Sequence, residues 1–203
     1  MHSKSLNNKE FNSLLAGIIL GDAHLRSLTK RENKSSLEIK QEFNKLPYVK
    51  WLHQQFECIG VNPILPRSDA RGWRFSSKPS LLLGEYRKKF YPKGKKIVPK
   101  DLEKILVSPI GLATWYMDDG TLDQRRRYHC NSIFSTHGFT FKDCQNLKKF
   151  IKNNFGIYSS VHKSTIRGKK YWRLYILSKS MDDFKKIISP WILPIFEYKL
   201  PKL

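Results

Sequence analysis

Two apolar runs in the chain each end in an aspartate. The first run, SLLAGIILGDAHLR at 13–26, carries one charge before its closing arginine, that of Asp22. The second, GLATWYMDDGTL at 111–122, has Asp119 in the matching place. Each run predicts a helix that ends at its aspartate, and the small residues in both allow the helix axes to approach closely. We therefore expect the two helices to pack together, with Asp22 and Asp119 side by side at one end.

The positions that follow the two runs also repeat in the same order. Several matches in order indicate an internal duplication rather than chance. The chain is therefore predicted to hold two repeats, residues 1–100 and 101–203. The matching segments are WRF at 73–75 and WRL at 172–174, IGV at 59–61 and FGI at 155–157, and KIVP at 96–99 and YKLP at 198–201.

Within each repeat, the hydrophobic spacing predicts the same series of elements after the first helix. These are a short strand, an amphipathic helix, a two-stranded ribbon and a final helix. At 171–177, strict alternation places Trp172, Leu174 and Ile176 on one face, as in a sheet with one packed side. The fold class is thus α/β (α+β), with two pseudo-symmetric α-β-α-β-β-α repeats. The predicted strands are 37–43 and 132–136, the amphipathic helices 48–59 and 141–155, and the final helices 80–90 and 181–188.

The charge of the chain indicates a polyanionic partner. Its 203 residues include 38 Lys and Arg against 17 Asp and Glu, a formal net charge of +21. Such an excess opposes a compact fold unless a polyanion is bound. Basic residues are interleaved with aromatic ones along the chain, so the folded surface itself is predicted to bind nucleic acid. An anionic membrane surface is the second candidate, but no apolar run approaches the roughly 20 residues of a membrane span.

The cysteines and the N-terminal residues indicate the cellular location of the protein. Three cysteines without a C-x-x-C pair support neither a disulfide framework nor a zinc ribbon, which favours a reducing compartment. The first residues, MHSKSLNNKEF, lack the apolar core of a secretory signal. We expect an intracellular location, in a mitochondrion or chloroplast if the source is a eukaryote.

The sequence has no Walker-type loop and no recognisable Ser-His-Asp order, which argues against nucleotide hydrolysis and acyl transfer.

Paired aspartates at the ends of two packed helices need a physical explanation. A carboxylate at a helix C-terminus opposes the helix dipole, and two such carboxylates repel each other unless a cation lies between them. A hard divalent ion meets both demands, since Mg²⁺ binds one or two carboxylates together with waters and phosphate oxygens. Two ions flanking a phosphodiester can stabilise both its attacking and its leaving oxygen. Asp22 and Asp119 are therefore candidate ligands of a catalytic magnesium site.

The two aspartate-ending segments also carry a family resemblance. LAGIILGDA at 15–23 and LATWYMDDG at 112–120 resemble the signature helices of the LAGLIDADG homing endonucleases, in their single-chain, two-repeat, intron-encoded form. The resemblance covers nearly the whole chain. It implies a DNA-binding saddle of two four-stranded sheets over the major groove, with the paired helices at its centre. The implied activity is a Mg²⁺-dependent, staggered double-strand cut across the minor groove.

The resemblance also implies a set of metal ligands. Asp22 and Asp119 would bind two or three divalent ions, helped by the main-chain carbonyls of Gly21 and Asp118. The side chain of Asp118 is expected to be a polar neighbour without direct catalytic work.

Other catalytic groups follow from the same resemblance. Lys96 and Lys199 resemble the basic residues that polarise the scissile phosphate or activate water. Their spacing to the following proline differs, so Lys95 stays an alternative to Lys96. Gln41 resembles a polar residue that the family uses near the metal's water, with His137 as its counterpart. Alternation along the strand would aim Gln41 at the core unless a bulge intervenes.

Basic residues on the strands, the ribbons and the loop after the second helix are candidate contacts to double-stranded DNA. The ribbons differ between repeats, PRSDAR at 66–71 and HKSTIR at 162–167, so the target is predicted to be long and non-palindromic and to be read by a monomer. The basic run at 125–127 is equally compatible with a solvated loop. The candidate contacts are Arg26, Lys40, Arg67, Arg71, Arg74, Arg125, Arg126, Lys163, Arg167, Lys169, Lys170 and Arg173.

Two other functions would carry the same charge. A protein of this fold can act as an RNA maturase that binds its own intron, or can persist as a DNA-binding module that has lost the acids. Retention of both aspartates and of Lys199 favours the nuclease, and it is also compatible with a chain that does both jobs.

Overall fold

The first half of the chain contributes one four-stranded antiparallel sheet with helices on one side of it. The structure, a computed structural model, describes residues 6–27, 33–126 and 129–201, with the backbone alone at 125, 126 and 129. The sheet has the strand order β1-β2-β4-β3. The elements of this half are α1 (Asn8–Leu20), β1 (His24–Ser27), β2 (Ser35–Glu42), α2 (Leu46–Gln55), β3 (Leu65–Pro66), β4 (Gly72–Ser76) and α3 (Leu81–Phe90).

The second half repeats this arrangement. Its sheet has the order β5-β6-β8-β7, which is the same connectivity as in the first half. The fold class predicted from the sequence, two pseudo-symmetric α/β halves, is therefore confirmed. The elements are α4 (Leu102–Ile105), α5 (Pro109–Asp119), β5 (Gly120–Arg126), β6 (His129–Phe134), α6 (Phe141–Phe155), β7 (Ser159–Ile166), β8 (Lys169–Ile176) and α7 (Met181–Ile188).

Each half contains one strand more than the sequence pattern predicted. A strand directly follows each aspartate-ending helix, so the repeat is α-β-β-α-β-β-α, with the short α4 preceding the second repeat. The pattern missed β1 and β5 because they read HLRS and GTLDQRR, each with a single apolar residue, Leu25 or Leu122. The predicted amphipathic helix at 141–155 coincides with α6, which begins at a capping box of Thr140 and Asp143 and ends at the left-handed Gly156.

The two aspartate-ending helices, α1 and α5, pack against each other at the centre of the molecule. The residues of α1 from Ser13 to Leu20 are buried, as are those of α5 from Ile110 to Met117. Ser13 joins the two helices: its hydroxyl accepts the main-chain N–H groups of Val107 (3.0 Å) and Ser108 (2.9 Å) at the start of α5. The bond from Ser108, the N-cap of α5, satisfies one of the donors that a helix N-terminus leaves unpaired.

Glycines allow the close contact between α1 and α5. A Cβ atom on Gly17 would overlap the main-chain oxygen of Gly111, and one on Gly111 would overlap the main-chain oxygen of Ser13. The small residues of the sequence pattern are therefore at the helix crossing, as predicted. This contact fixes the helix ends that carry Asp22 and Asp119 next to each other.

Both sheets have one packed face and one open face. In β8, Leu174 and Ile176 are buried and Tyr175 is partly exposed, which confirms the predicted alternation. No helix in the described ranges is long and apolar enough to cross a membrane.

Replacing Gly17 with alanine is expected to destabilise the fold by about 1–3 kcal/mol or more, because overpacking of a close contact forces backbone shifts. Gly138→Ala is the matched control, since its Cβ would meet nothing within 4 Å. Urea unfolding of both variants measures the difference. Equal free energies of unfolding for Gly17→Ala and the wild type would contradict the close helix contact.

Candidate active site

The acids of the site converge from the ends of α1 and α5. Gly21 caps α1 by donating its N–H to Gly17 O (3.1 Å), which leaves Asp22 just beyond the helix. Asp118 and Asp119 are the last two residues of α5 and are partly buried, while Asp22 is exposed. The two helices therefore bring three carboxylates to one place, where the sequence interpretation expected two functional side chains.

Gln41 links these acids. Its Nε2 donates to Asp22 Oδ2 (3.0 Å) and to Asp118 Oδ1 (3.2 Å). Gln41 is 3% exposed and lies on the same inward face of β2 as Leu37 and Ile39, without a bulge. Gln41 points inward and still contacts the acids, because that end of β2 lies against the ends of α1 and α5. The predicted position near the metal ligands is thus compatible with strict strand alternation.

The Asp118 side chain lies inside the acid cluster. Its Oδ2 accepts the main-chain N–H of Asp22 at 3.2 Å. Next to it is the fully buried Tyr48. Burial raises the pKa of Tyr48 well above 10.0, and the negative charge of Asp118 adds to that increase. The expectation that Asp118 is a polar neighbour without direct catalytic work stays a prediction, and the structure places its side chain in contact with Asp22 and Gln41.

Two lysines reach the same helix ends. Lys96 Nζ donates to Gly21 O at 2.7 Å and to Ala23 O at 3.4 Å. Lys95 is exposed, so the structure favours Lys96 of the two candidates. Lys199 Nζ donates to Met117 O at 2.6 Å. The two contacts are not equivalent, because Lys96 binds the carbonyl directly before its aspartate and Lys199 binds the carbonyl two residues before.

The counterpart of Gln41 in the second half is Thr136 and not His137. Leu25 pairs with Leu37 and Leu122 pairs with Ser132, so the position four residues further along the chain is Gln41 on β2 in one half and Thr136, two residues beyond the end of β6, in the other. Thr136 is buried and donates its hydroxyl hydrogen to Trp172 O at 2.7 Å.

His137 instead lies away from the acids, where its Nε2 accepts from Arg173 Nε at 3.0 Å. Asp119 receives its hydrogen bond from elsewhere, the indole Nε1 of Trp115 at 3.3 Å. The sequence interpretation missed Trp115, although it stands one helical turn before Asp119, within reach of its carboxylate.

The electrostatics of the cluster show an excess of negative charge at the acids. Burial, with the charge of Asp22 as the next cause, raises the pKa of Asp119 from 3.8 to about 7. Burial also raises the pKa of Asp118 well above its ordinary value, again with Asp22 contributing. Burial lowers the pKa of Lys199 from 10.5 to about 8 and lowers that of Lys96 as well. The nearby lysines therefore only partly neutralise the acids.

These groups fit a hard divalent cation. Carboxylate and carbonyl oxygens are the ligands that Mg²⁺ and similar ions prefer. A cation would favour the charged form of Asp119, whose pKa is raised first by burial and next by the charge of Asp22. In the described part of the chain, no three His, Cys, Asp or Glu side chains are arranged to hold an ion by themselves. The remaining ligands would be main-chain carbonyls, waters or the phosphates of a substrate. Of the predicted carbonyl ligands, that of Gly21 is already shared with Lys96.

The open face of the first sheet carries three of the predicted DNA contacts. Arg26, Lys40 and Arg74 alternate opposite the buried residues of their strands, and Lys40 pairs directly with Arg74. Arg26 and Lys40 lie on either side of Glu38, at 3.6 and 3.8 Å. Arg67 and Arg71 belong to the β3–β4 turn, where Arg67 forms an ion pair with Asp69.

The second sheet divides its predicted contacts between two faces. Arg173 and Lys169 share the open face with Tyr171. Lys163, which pairs with Trp172, and Lys170 lie instead on the same face of the sheet as Trp172 and the core residues. Arg167 lies at the tip of the hairpin with a φ of 48°. Arg125 and Arg126 lie on β5, but their side chains are outside the described part of the structure.

Comparison with known protein families identifies the family of this chain. A model of the LAGLIDADG DNA endonuclease family matches residues 12–184, a range that includes Asp22, Asp119, all of α5 and most of α1. The chain therefore belongs to the LAGLIDADG DNA endonuclease family. The resemblance stated from the sequence is confirmed.

Relatives of this chain include proteins named as maturases and proteins named as endonucleases. The cytochrome b mRNA maturase bI2 of Saccharomyces cerevisiae is 29% identical over 209 residues, which cover 95% of this chain and 48% of the maturase. The chain thus spans about half the length of this relative. The probable intron-encoded endonuclease 1 of Wickerhamomyces canadensis is 28% identical over 198 residues, covering 92% of this chain and 81% of that protein.

Solved structures share the fold. The homing endonuclease I-WcaI bound to its DNA recognition sequence has a TM-score of 0.80 at 23% identity, over 98% of this chain and 89% of that one. I-DmoI in complex with DNA and Mn has a TM-score of 0.55 at 18% identity, over 90% and 97%. Both likenesses confirm the architecture of two sheets around two central helices.

The metal-free protein is expected to lose stability as the pH rises from about 4 to about 7. Because the pKa of Asp119 is raised from 3.8 to about 7, the folded state keeps a proton that the unfolded state has lost in this interval. Asp119→Asn removes this titration, so in EDTA the variant should melt higher than the wild type at pH 8 and equally at pH 4. Each kcal/mol corresponds to about 2–4 °C for a chain of this size.

Asp183→Asn, an exposed position on α7, is the control and should follow the wild type at both pH values. Parallel melting curves for Asp119→Asn and the wild type from pH 4 to 8 would contradict the raised pKa.

Proposed function

We propose that this chain is a site-specific DNA endonuclease that makes a staggered double-strand cut in a long, asymmetric duplex, with Mg²⁺ as its metal. The observation that carries this proposal is the convergence of Asp22 and Asp119, with Lys96 and Lys199, at the centre between two sheets. Membership of a DNA endonuclease family supports it. So does a structural neighbour that was solved bound to its DNA recognition sequence.

The metal ions would be held by the carboxylates of Asp22 and Asp119, with the main-chain carbonyls of Gly21 and Asp118 as further ligands. Bound there, the ions supply Lewis-acid stabilisation of the attacking and leaving oxygens of the phosphodiester. Gln41 restrains the Asp22 carboxylate through its 3.0 Å hydrogen bond. Trp115 does the same for Asp119 through its indole N–H.

The two lysines would face the scissile phosphates. Burial lowers the pKa of Lys199 to about 8, so near neutral pH its ammonium group can offset developing negative charge and can also exchange a proton. Lys96 is the corresponding group in the first half, where burial likewise lowers its pKa. Two lysines and two aspartates would then give one cutting centre for each DNA strand.

The open sheet faces would hold the duplex on either side of the acids. Basic side chains are spaced along the strands of both open faces, where they can contact phosphates and base edges. They are Arg26, Lys40 and Arg74 on the first sheet and Arg173 and Lys169 on the second. The two faces carry different side chains, so one monomer would read an asymmetric site. The repeats would divide near residue 100. The location would be intracellular, in a mitochondrion or chloroplast if the source is a eukaryote.

A second candidate function is that of an RNA maturase. The observation that favours it is the relative named as a cytochrome b mRNA maturase, which is similar over 95% of this chain. A chain with this role would bind its own intron RNA, alone or in addition to cutting DNA. Retention of both acids beside the two lysines favours cutting.

Asp22→Asn and Asp119→Asn are expected to bind the uninterrupted host-gene duplex in Ca²⁺ as tightly as the wild type or more tightly, because a negative charge near the phosphates is gone. Both variants should lose double-strand cleavage in Mg²⁺ by at least about 100-fold, since metal stabilisation of a phosphoryl transition state amounts to several kcal/mol. Linearisation of a plasmid carrying that gene measures the loss.

Asp183→Asn is the matched control and should cut at the wild-type rate. Full cutting by either aspartate variant would remove the metal assignment. Intron RNA is the comparator ligand: if it binds the wild type far more tightly than the duplex, and no duplex is cut, the maturase function replaces the nuclease.

A further inference from the structure

The end of α1 leaves one main-chain donor that the helix itself does not satisfy. In a regular helix the N–H of Asp22 would bond to Ile18 O. Here the N–H of Ala23 donates to Ile18 O instead, at 2.9 Å. The N–H of Asp22 instead donates to Asp118 Oδ2, a side chain of the other half of the chain. The backbone at the first candidate metal ligand is therefore held by a carboxylate from the second repeat.

Gly21 makes room for this carboxylate. A Cβ on Gly21 would lie 2.5 Å from Asp118 Oδ2 and 2.6 Å from Asp118 Cβ. Gly21 and Asp118 stand at equivalent positions, each directly before the aspartate of its repeat. The first repeat has no side chain at this position, and the Asp118 side chain of the second repeat fills the space beside Gly21. The two residues are thus complementary across the pseudo-symmetry axis.

Asp118 also fixes Gln41, which in turn holds the Asp22 carboxylate. Gln41 Nε2 donates to both Asp118 Oδ1 and Asp22 Oδ2, so the main chain and the side chain of Asp22 are restrained through the same residue. The Asp119 carboxylate is held differently, because it accepts a hydrogen bond from the indole N–H of Trp115 on its own helix. The two candidate metal ligands are held in different ways.

We propose that Asp118 is a positioning residue that acts across the repeat boundary: it fixes Asp22 and Gln41, so that cutting of one DNA strand depends on it far more than cutting of the other. The strand-specific part of this inference rests on the proposed nuclease function. Its structural part, the restraint of Asp22, does not depend on cutting.

The structural part is tested in the metal-free protein by amide hydrogen exchange. Asp118→Ala should speed exchange of the Asp22 amide by about tenfold, the effect of losing one hydrogen bond, while residues 14–20 of α1 keep their wild-type rates. Asp118→Asn keeps an acceptor oxygen and should restore part of the protection. Unchanged exchange at Asp22, or equal acceleration along the whole of α1, would overturn the inference.

The strand-specific part is tested with a duplex labelled separately on each strand, in Mg²⁺. Asp118→Ala should slow the cut of one strand at least about tenfold more than the other, so nicked product accumulates. Trp115→Phe, which removes the N–H donated to Asp119 and keeps an aromatic ring in the core, is the matched variant and should slow the opposite strand. Binding of the duplex in Ca²⁺ should stay at the wild-type level for both variants.

Equal slowing of both strands by Asp118→Ala, with cutting by the wild type intact, would overturn the positioning role and leave the nuclease function standing. A wild type that cuts no duplex would remove the nuclease function, and the exchange measurement would then decide the restraint of Asp22 by itself.

Discussion

The close contact of α1 and α5 is the constraint on which the rest of the structure depends. Because Gly17 and Gly111 lack side chains, the helix backbones touch, and the helix ends place Asp22 and Asp119 together. Packing of that kind forces like charges into one partly buried space. The raised pKa of Asp119 is the direct consequence. A fold that tolerates such repulsion at its centre is suited to bind a cation there.

Much of the fold could be predicted from the sequence, because its repeats are long and their hydrophobic spacing is regular. The two central helices, α6 and the alternation of β8 follow from periodicity alone. The strands β1 and β5 do not, since HLRS and GTLDQRR have one apolar residue each, and their place in the sheet comes from pairing with β2 and β6. Tertiary pairing, which sequence spacing does not contain, determines these edge strands.

The candidate site was predictable where it depends on repeat symmetry and not where the repeats differ. Matching positions identified Asp22 and Asp119. Asp118 was expected to be a polar neighbour without direct catalytic work, and the family resemblance gave His137 as the counterpart of Gln41. The structure places Asp118 in contact with Asp22 and places Thr136 at the position equivalent to Gln41. Asp118 reaches across to the first repeat through the space left by a glycine, a contact that no alignment of the two halves could show. The departures make the two candidate metal ligands unequal in their surroundings.

The most direct test of the central claim is anomalous scattering from Mn²⁺ in crystals of the protein with its target duplex. We expect anomalous peaks between the scissile phosphates and the carboxylates of Asp22 and Asp119, with both carboxylates as ligands. Peaks that contact neither carboxylate, or a bound duplex with no ion at the helix ends, would contradict it.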